Sequence, residues 1–172
     1  MSNRIAEFQK VSFDQFKKDW IDTFPVAEYA EENYFQEIYD SIRIPERATR
    51  GSAGYDFFSP KNFVLAPGEE IKMPTGIRVK MEENWVLMVY PRSSIGFKYF
   101  TVLKNTTGVI DSSYYFAENE GHMFMALHNL GDKPLVINTG DRICQGVFLP
   151  YGITIDDHVE TDRTGGLGST GR

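Results

Sequence analysis

Residues 74–90 read PTGIRVKMEENWVLMVY, and the two patterns in this stretch decide the fold class. In the first half, the apolar residues Ile77, Val79 and Met81 alternate with basic residues, which predicts a strand with one buried face. The second half, residues 85–90, is apolar on both faces, as is typical of a strand inside a sheet. A Pro-Thr-Gly turn precedes the first run. We therefore expect β-strands here.

Short strand-like runs separated by turn sequences continue from about Ala48 onward. The turn sequences are Pro67-Gly68, Pro74-Thr75-Gly76, Gly131-Asp132 and Asn138-Thr139-Gly140-Asp141. Many short strands with frequent turns predict an all-β fold, either a barrel or a jelly roll. We expect this β domain to span residues 45–160, followed by a flexible, glycine-rich flap over residues 161–172.

The pattern before Ile44 is helical instead. Ser12 and Gln15 have the spacing of a capping box, which indicates the start of a helix, and Pro25 suits the first turn of a second one. Apolar residues recur at helical spacing in both segments: Phe13, Phe16 and Trp20, then Ala30, Tyr34, Phe35, Ile38, Tyr39 and Ile42. Such stripes are usually packing surfaces. We expect residues 1–44 to form a helical extension packed on the barrel or at a subunit interface.

Composition narrows the function classes. The 172 residues are 41% hydrophobic and 14% aromatic, which is enough for a single domain with its own core. A net charge of -6 argues against a general nucleic-acid-binding surface. Cys144 is the only cysteine, so neither an internal disulfide nor a cysteine zinc cluster is expected. With no signal peptide or membrane-spanning run evident, we expect a cytoplasmic protein that binds no membrane.

Two carboxylates stand out as candidate functional groups. Asp111 follows a Gly-Val-Ile run within residues 105–114, NTTGVIDSSY, and an acid there is either a site residue or an ordinary turn residue. Asp56 closes the segment Ala53-Gly54-Tyr55-Asp56. Together the two acids offer the oxygen chemistry that Mg²⁺ uses, usually through retained waters. Either one is also compatible with a structural role.

Other segments have the composition of phosphate-binding sites. The run Pro91-Arg92-Ser93-Ser94 follows the buried strand and offers a guanidinium group and two hydroxyls to anionic oxygens. Gln145 is predicted to share a strand face with Ile143, Val147 and Leu149, where an amide needs a backbone partner or a polar site. The tail, residues 162–172, is either disordered or a mobile flap that folds over a polyphosphate.

In this order along the chain, the segments resemble the five motifs of the trimeric dUTPases (dUTP diphosphatases). The segments are Gly54-Tyr55-Asp56, Pro91-Arg92-Ser93-Ser94, Gly108–Asp111 with Tyr114, Gly140–Gln145 and the tail from Arg163. The resemblance covers roughly residues 44–172. It implies a distorted jelly-roll barrel, a homotrimer with shared active sites, and Mg²⁺-assisted hydrolysis of dUTP to dUMP and pyrophosphate.

The resemblance also implies residue roles. Asp111 would orient and deprotonate the water that attacks the α-phosphorus. Asn105 and the backbone of residues 107–110 would read the polar edge of uracil, and Tyr114 would pack on the deoxyribose where a 2′-hydroxyl would clash. Asp56 and Gln145 would hold Mg²⁺ through water. The implied substrate-binding set is Arg92, Ser93, Ser94, Asn105, Gly108, Val109, Ile110, Tyr114, Gln145, Arg163, Leu167, Gly168, Ser169 and Thr170.

The sequence departs from the family pattern at the aromatic residue of the tail. Leu167 stands where most dUTPases have a phenylalanine that stacks on uracil, and the segment between Arg163 and this position is one residue short. We hypothesise that Phe116, or Phe124 beyond it, replaces that aromatic, as in some Gram-positive bacterial and phage members.

A second departure follows Tyr114, where residues 115–122 form a longer and more acidic segment than the usual turn. Its side chains Glu118, Glu120 and His122 are of metal-ligating types. We interpret them as an exposed acidic turn rather than a metal site.

Two alternative functions stay open. The dCTP deaminases have a related fold, a similar Arg-Ser-Ser segment and a Leu-x-Asn strand like Leu127-His128-Asn129, but their activating glutamate would fall at Ala126 here. A non-catalytic member that binds a nucleotide or a regulatory protein is the second alternative. Intact Asp111 argues against it, because a pure binder has no need of a water-activating acid.

Overall fold

The computed structural model describes residues 3–166, apart from the side chain of Val26. Short antiparallel strands dominate these residues. The strands are β1 (Ala6–Lys10), β2 (Glu46–Arg47), β3 (Tyr55–Phe58), β4 (Phe63–Leu65), β5 (Glu70–Pro74), β6 (Ile77–Met81), β7 (Trp85–Pro91), β8 (Thr101–Leu103), β9 (Gly108–Asp111), β10 (Phe124–Asn129), β11 (Leu135–Ile137) and β12 (Arg142–Pro150). The prediction of an all-β architecture is confirmed.

Helices occur mainly before the barrel. The α-helices are α1 (Phe13–Thr23), α2 (Glu32–Ser41) and α3 (Ser93–Tyr99), and two 3-10 helices cover Pro25–Tyr29 and Ser112–Phe116. Pro25 therefore opens a 3-10 helix, while the second α-helix begins only at Glu32. None of the helices in the described part of the chain is long and apolar enough to cross a membrane.

The start of α1 is the predicted one, although only half of the predicted capping box forms. The hydroxyl of Ser12 accepts a hydrogen bond from the N–H of Gln15 at 3.2 Å, which satisfies one free donor of the first turn. The Gln15 side chain does not return to Ser12. It donates to Asp19 at 2.8 Å instead, and the N–H of Ser12 donates to Glu120.

The five-stranded sheet, in the order β2-β3-β12-β7-β9, positions the functional side chains. Its pairs are all antiparallel, and β7 lies between β12 and β9. This explains why residues 85–90 are apolar on both faces. Gln145 of β12 lies opposite both Tyr90 of β7 and Asp56 of β3, whereas Asp111 of β9 lies opposite Val86, near the other end of β7.

The N-terminal segment shares one hydrophobic core with the barrel. Buried Phe16 and Trp20 of α1 and Phe35 of α2 belong to the same cluster as Met73, Leu87, Leu127 and Ile143 of the strands. The inward residues of β6, Ile77, Val79 and Met81, are buried in this cluster as their alternation predicted. The helical segment is therefore part of the packed domain.

The strand β1 has no counterpart in the sequence prediction. It pairs with β6 from Ala6↔Met81 to Lys10↔Ile77. Its sequence, AEFQK, carries one large apolar residue, Phe8, whose ring packs 5.3–5.6 Å from those of Tyr55, Phe57 and Phe148. One large apolar residue in five gives no periodic signal. This segment is a strand because it pairs with β6 in the folded chain.

The Pro-Thr-Gly turn before β6 requires its glycine. Gly76 has a φ of +73°, and a Cβ there would lie 2.3 Å from Cδ1 of the buried Ile42. Its N–H donates to Nε2 of His122 at 2.8 Å, and its carbonyl accepts from the N–H of Val11 at 3.0 Å. Glycine fits because it tolerates the left-handed region and adds no side chain.

Replacing Gly76 with alanine tests how tightly this turn is packed. We expect Gly76→Ala to lower the free energy of unfolding by about 2–4 kcal/mol, from a left-handed alanine and a clash with a buried side chain. Gly140→Ala is the matched control, because Gly140 is also left-handed, with φ +86°, but a Cβ there would meet no atom within 4 Å. Urea unfolding of both variants at one protein concentration measures the difference. Equal losses would show that Ile42 moves aside freely.

Candidate active site

An ion cluster around the buried carboxylate of Asp56 lies where β3, β7 and β12 meet. The Asp56 side chain is 3% exposed and forms ion pairs with Arg92 through one oxygen and with Arg142, at 3.4 Å, through the other. The N–H of Arg92 also donates to the carbonyl of Ile143 at 3.3 Å, which ties the residue to β12. A buried carboxylate needs such partners. Asp56 therefore fixes the direction of two guanidinium groups.

These guanidinium groups border a basic cleft. The cleft has a volume of about 510 Å³, and its cationic lining residues are Arg43, Arg92, Lys98 and Arg142. Ser93 and Ser94, the first residues of α3, are exposed, and Ser94 also lines the cleft. Within residues 3–166, buried Nε of Arg92 has no hydrogen-bond partner. Cations and hydroxyls in this arrangement suit the oxygens of a polyphosphate.

Arg142 and Lys98 were missed as site residues by the sequence analysis. Arg142 stood inside the quoted Gly-Asp-Arg-Ile-Cys-Gln segment, so a cation at the start of a strand was the available signal. No sequence signal marked Lys98, because a lysine in a helix is usually solvated.

Gln145 lies next to Asp56 on the neighbouring strand, but the face predicted for it is not a continuous apolar one. A bulge between Arg142 and Cys144 makes Ile143 an extra residue, so Ile143 and Cys144 are both fully buried while Gln145 is half-buried. Leu149, further along the same face, is exposed. The bulge changes which residues share a face, and sequence alternation alone does not reveal it.

The side chain of Gln145 points toward Gly54. A Cβ at Gly54 would lie 2.7 Å from Oε1 of Gln145, so the glycine leaves room for the amide. No partner for this amide appears within residues 3–166. The group is therefore able to hydrogen-bond a ligand or a water beside the basic cleft.

Cys144, between the bulge and Gln145, is unreactive in the folded chain. Its side chain is fully buried, and burial raises the pKa of the thiol to about 12. Because the thiolate is the reactive form, the folded protein keeps this cysteine unreactive at neutral pH.

Asp111 and its neighbours form a second group, at the far end of β7. The Asp111 side chain is 54% exposed, and one of its oxygens lies 3.6 Å from a guanidinium nitrogen of Arg163. The same guanidinium lies 4.8 Å above the ring of Tyr114. Arg163 also donates to the carbonyls of Gly165 and Gly166 at 3.0 and 3.1 Å, so residues 163–166 lie beside the acid.

The strand before Asp111 presents an open edge. Among the described residues of the five-stranded sheet, β9 pairs with β7 and with no other strand, so the other edge of Gly108, Val109 and Ile110 keeps backbone donors and acceptors for a ligand. Asn105 lies exposed in the turn that leads into this strand. A planar base with a polar edge fits a row of alternating N–H and C=O groups.

Tyr114 lies deeper than its neighbours. The side chain is buried, its hydroxyl donates to the carbonyl of His122 at 2.7 Å, and it accepts from Nδ2 of Asn119 at 2.9 Å. Burial raises the pKa of Tyr114 despite the opposing hydrogen bond from Asn119 and the charge of Arg163. The hydroxyl therefore stays protonated and keeps the ring in a fixed place.

The structure separates the two candidates for the missing aromatic. Phe116 is 72% exposed and lines a cleft of about 910 Å³ together with Asp111 and Val109. Phe124 is half-buried between Lys72, 4.3 Å from its ring centre, and His122, whose ring lies 4.7 Å away. Phe116 alone of this pair is placed to meet a ligand beside Asp111.

The interpretation of residues 118–122 as an exposed acidic turn needs correction. Glu118 is exposed, but Glu120 is half-buried against Ser12, and His122 is fully buried against Asp19. The pattern was misleading because these partners lie more than a hundred residues earlier in the chain. Among the described residues no three metal-ligating side chains cluster.

The two groups do not meet within one chain. Val86 and Tyr90, which face Asp111 and Gln145, are four residues apart on β7, about 13 Å along the strand. Asp56 lies on β3, three strands from β9, which adds about 14 Å across the sheet. The predicted residues Leu167, Gly168, Ser169 and Thr170 lie outside the described residues.

A β-barrel that combines a basic cleft, an exposed carboxylate and an open strand edge has the features of a nucleotide-binding hydrolase. The family model described as dUTPase matches residues 40–171. The chain therefore belongs to the dUTPase family.

Relatives in sequence agree with this assignment. The chain is 46% identical over 133 residues to the deoxyuridine 5'-triphosphate nucleotidohydrolase of Lactococcus lactis subsp. lactis (strain IL1403), covering 76% of this chain and 89% of the relative. It is 37% identical over 144 residues to the enzyme of the same name from Actinobacillus pleuropneumoniae serotype 5b, covering 78% and 91%. The family predicted from the motifs is confirmed.

Solved structures show the same fold. The dUTPase from Streptococcus mutans has a TM-score of 0.62 and 30% identity, covering 86% of this chain and 97% of that one. A variant dUTPase from phage phi11 of S. aureus, whose structure reveals the coordination of a structural Mg(II) ion, has a TM-score of 0.63 at 21% identity, covering 92% and 98%. The second likeness is evidence for the fold alone. The predicted dUTPase-like jelly roll is confirmed.

Removing the charge of Asp56 tests its role as the anchor of the basic cleft. We expect Asp56→Asn to lower the free energy of unfolding by about 2–3 kcal/mol, because two partly buried guanidinium groups lose their counter-charge. Glu46→Gln is the control, because Glu46 lies opposite Asp56 on β2 but is 58% exposed, in an ion pair with a half-exposed Arg43. That variant should change stability by less than about 0.5 kcal/mol. Thermal melting at fixed protein concentration measures both, and equal shifts would contradict an anchoring role.

Proposed function

We propose that the chain hydrolyses dUTP to dUMP and pyrophosphate by attack of water on the α-phosphorus. The observation that carries this proposal is the half-exposed carboxylate of Asp111 at the end of an open strand edge. Membership of the dUTPase family supports the same substrate and reaction. Asp111 orients the attacking water and removes its proton, which is general base catalysis.

Substrate recognition is divided among the two groups of residues. The polar edge of uracil binds to Asn105 and to the open backbone edge of Gly108, Val109 and Ile110. The ring of Tyr114 packs on the deoxyribose. The triphosphate is held by Arg92, Ser93, Ser94 and Gln145, to which we add Arg142. Arg163, Ser169 and Thr170 bind the terminal phosphates when the tail closes, and Leu167 and Gly168 complete the substrate-binding residues of the same tail.

A Mg²⁺ ion fits this site only through water. Both oxygens of Asp56 already face guanidinium groups, so its carboxylate is not free to bind the ion directly. The amide of Gln145 is placed to bind a water of the ion's shell. When bound, Mg²⁺ supplies positive charge that offsets the charge of the triphosphate.

We further propose a homotrimer whose active sites are shared between subunits. The separation of Asp111 from the basic cleft supports this arrangement, because one substrate needs both groups. Three exposed apolar side chains line the cleft next to Asp111 and provide a surface for a second copy: Val109, Ile153 and Val159. In this proposal residues 1–44 are a packing extension of the 45–160 barrel, residues 161–172 are the flap, and the protein acts in the cytoplasm.

The chain lacks the acid that the alternative activity, dCTP deamination, requires. The position before Leu127 is Ala126 in β10, so no carboxylate is available there to activate water.

The substrate test compares pyrophosphate release from dUTP, UTP, dCTP and dTTP with Mg²⁺. We expect selective turnover of dUTP, and we expect Asp111→Asn to lower kcat by at least about a hundredfold, because the amide cannot accept the proton. Exposed Asp132→Asn is the control and should retain full activity. A folded wild-type protein that turns over none of these nucleotides would favour the non-catalytic binding alternative.

Subunit mixing tests whether sites are shared. Asp111→Asn and Gln145→Ala chains, each inactive alone, should regain about a quarter of wild-type activity when co-assembled in equal amounts, because some sites then receive both intact residues. Mixing Asp111→Asn with the double variant Asp111→Asn, Gln145→Ala is the control and restores nothing. An absence of recovery in verified mixed oligomers would place each site within one chain.

Phe116→Ala tests the aromatic that replaces the usual phenylalanine of the tail. We expect the variant to bind a nonhydrolysable dUTP analogue about tenfold more weakly, the usual scale for one lost base-stacking contact. Phe97→Ala, which removes another exposed phenylalanine, from α3, is the control. Calorimetric titration gives both affinities. Full affinity in Phe116→Ala would remove Phe116 from this role.

A further inference from the structure

The helix α1 and its N-cap contact the loop that carries Tyr114 at two points, in addition to the hydrogen bond that the Tyr115 hydroxyl of this loop donates to Oε1 of Gln9 in β1 at 2.9 Å. We call residues 114–122 the Tyr114 loop. At the first point, Glu120 accepts hydrogen bonds from the N–H of Ser12 at 2.8 Å and from its hydroxyl at 2.6 Å. At the second, Nδ1 of His122 lies 2.6 Å from a carboxylate oxygen of Asp19 in α1. The helix α1 thus contacts the loop at its cap and at its buried face.

The Asp19–His122 contact has a defined direction. Nε2 of His122 accepts from the N–H of Gly76 at 2.8 Å, so the ring proton lies on Nδ1 and is donated to Asp19. Burial opposes ionisation of Asp19, but hydrogen bonds from His122 and Gln15 outweigh it and hold the pKa of this carboxyl below its usual value. Asp19 is therefore charged at neutral pH and orients the imidazole.

The end of the Tyr114 loop determines where the tyrosine ring lies. The carbonyl of His122 accepts from the Tyr114 hydroxyl, and the oxygen of that hydroxyl accepts from Nδ2 of Asn119. Gly121 packs so closely that a Cβ there would lie 2.7 Å from the carbonyl oxygen of Tyr114. A shift of His122 would thus be transmitted to the tyrosine.

The loop is held in a conformation that it would not adopt freely. Glu120 and Gly121 are consecutive left-handed residues, with φ of +57° and +72°. The left-handed region is sterically unfavourable for a non-glycine residue. Such a conformation persists where contacts over-determine it, and Glu120 has them in Ser12 and in Arg78, whose guanidinium lies 3.5 Å away.

We propose that Asp19 and Ser12 are positioning residues for sugar discrimination: through His122 and Glu120 they hold Tyr114 at the depth that admits deoxyribose and excludes ribose. This inference rests on the proposed function, since Tyr114 must meet the sugar. The N-terminal segment thereby gains a role in selectivity beyond packing.

The test compares dUTP with UTP in variants of Asp19. We expect Asp19→Leu to lower the ratio of kcat/KM for dUTP over UTP about tenfold, chiefly through KM, because the ring is displaced while Asp111 is untouched. Asp19→Asn, which keeps an acceptor oxygen for His122, should restore most of the ratio. Asp22→Leu, an exposed carboxylate on the same helix, is the control and should leave the ratio unchanged.

A second variant keeps the inference testable if Asp19→Leu fails to fold. Glu120→Gln preserves shape but weakens the hold on Ser12, and should lower the same ratio, whereas Glu118→Gln, on the exposed part of the loop, should not. Thermal melting identifies which variants are folded. An unchanged ratio in folded Glu120→Gln and Asp19→Leu would overturn the inference and leave these contacts purely structural.

A failure of the proposed function can be distinguished from a failure of this inference. If the wild-type protein hydrolyses no nucleotide, calorimetric binding of nonhydrolysable dUTP and UTP analogues to the same variants replaces the kinetic ratio. A preference for the deoxy analogue that falls in Asp19→Leu and survives in Asp22→Leu supports the inference without catalysis. No preference in the wild-type protein overturns it.

Discussion

The separation of the two groups of candidate site residues follows from the register of the interior strand β7, which lies between β12 and β9. Its hydrogen bonds to β12 on one side and to β9 on the other fix Gln145 opposite Tyr90 and Asp111 opposite Val86. A slip by one residue would turn each side chain to the other face of the sheet, and the fully buried Leu87 and Val89, which alternate with half-buried residues, resist such a slip. The register of β7 thus sets the separation between Gln145 and Asp111 along the sheet.

Charge is distributed unevenly over this scaffold. The whole chain has a net charge of -6, yet one cleft gathers Arg43, Arg92, Lys98 and Arg142. Net charge describes the average surface, whereas a ligand responds to the local field inside a cleft, where walls of low dielectric constant strengthen it. An acidic protein can therefore bind a triphosphate strongly without becoming a general polyanion binder.

The sequence predicted the elements whose signal is local. The alternation in β6, the apolar run of β7 and the serine cap of α1 each depend on neighbours within a few positions, and the structure has them. The strand β1, the bulge at Ile143 and the buried state of His122 depend on partners far away in the chain. Residue types alone could mark His122 as polar, but only the fold shows that Asp19 and Gly76 satisfy both of its nitrogens.

The contacts of the N-terminal segment have a consequence for how the chain folds during synthesis. Ser12 and Glu120 are 108 positions apart, and Asp19 and His122 are 103 apart. At a synthesis rate of about 5–20 residues per second, the first helix leaves the ribosome several seconds before its partners exist. The aromatic residues of this helix have no native partners to pack against during that time. Because contacts between residues far apart in sequence form slowly, we expect them to form in the last and slowest steps of folding. A growing chain of this kind offers chaperones an early, apolar and transient binding site at its N-terminus.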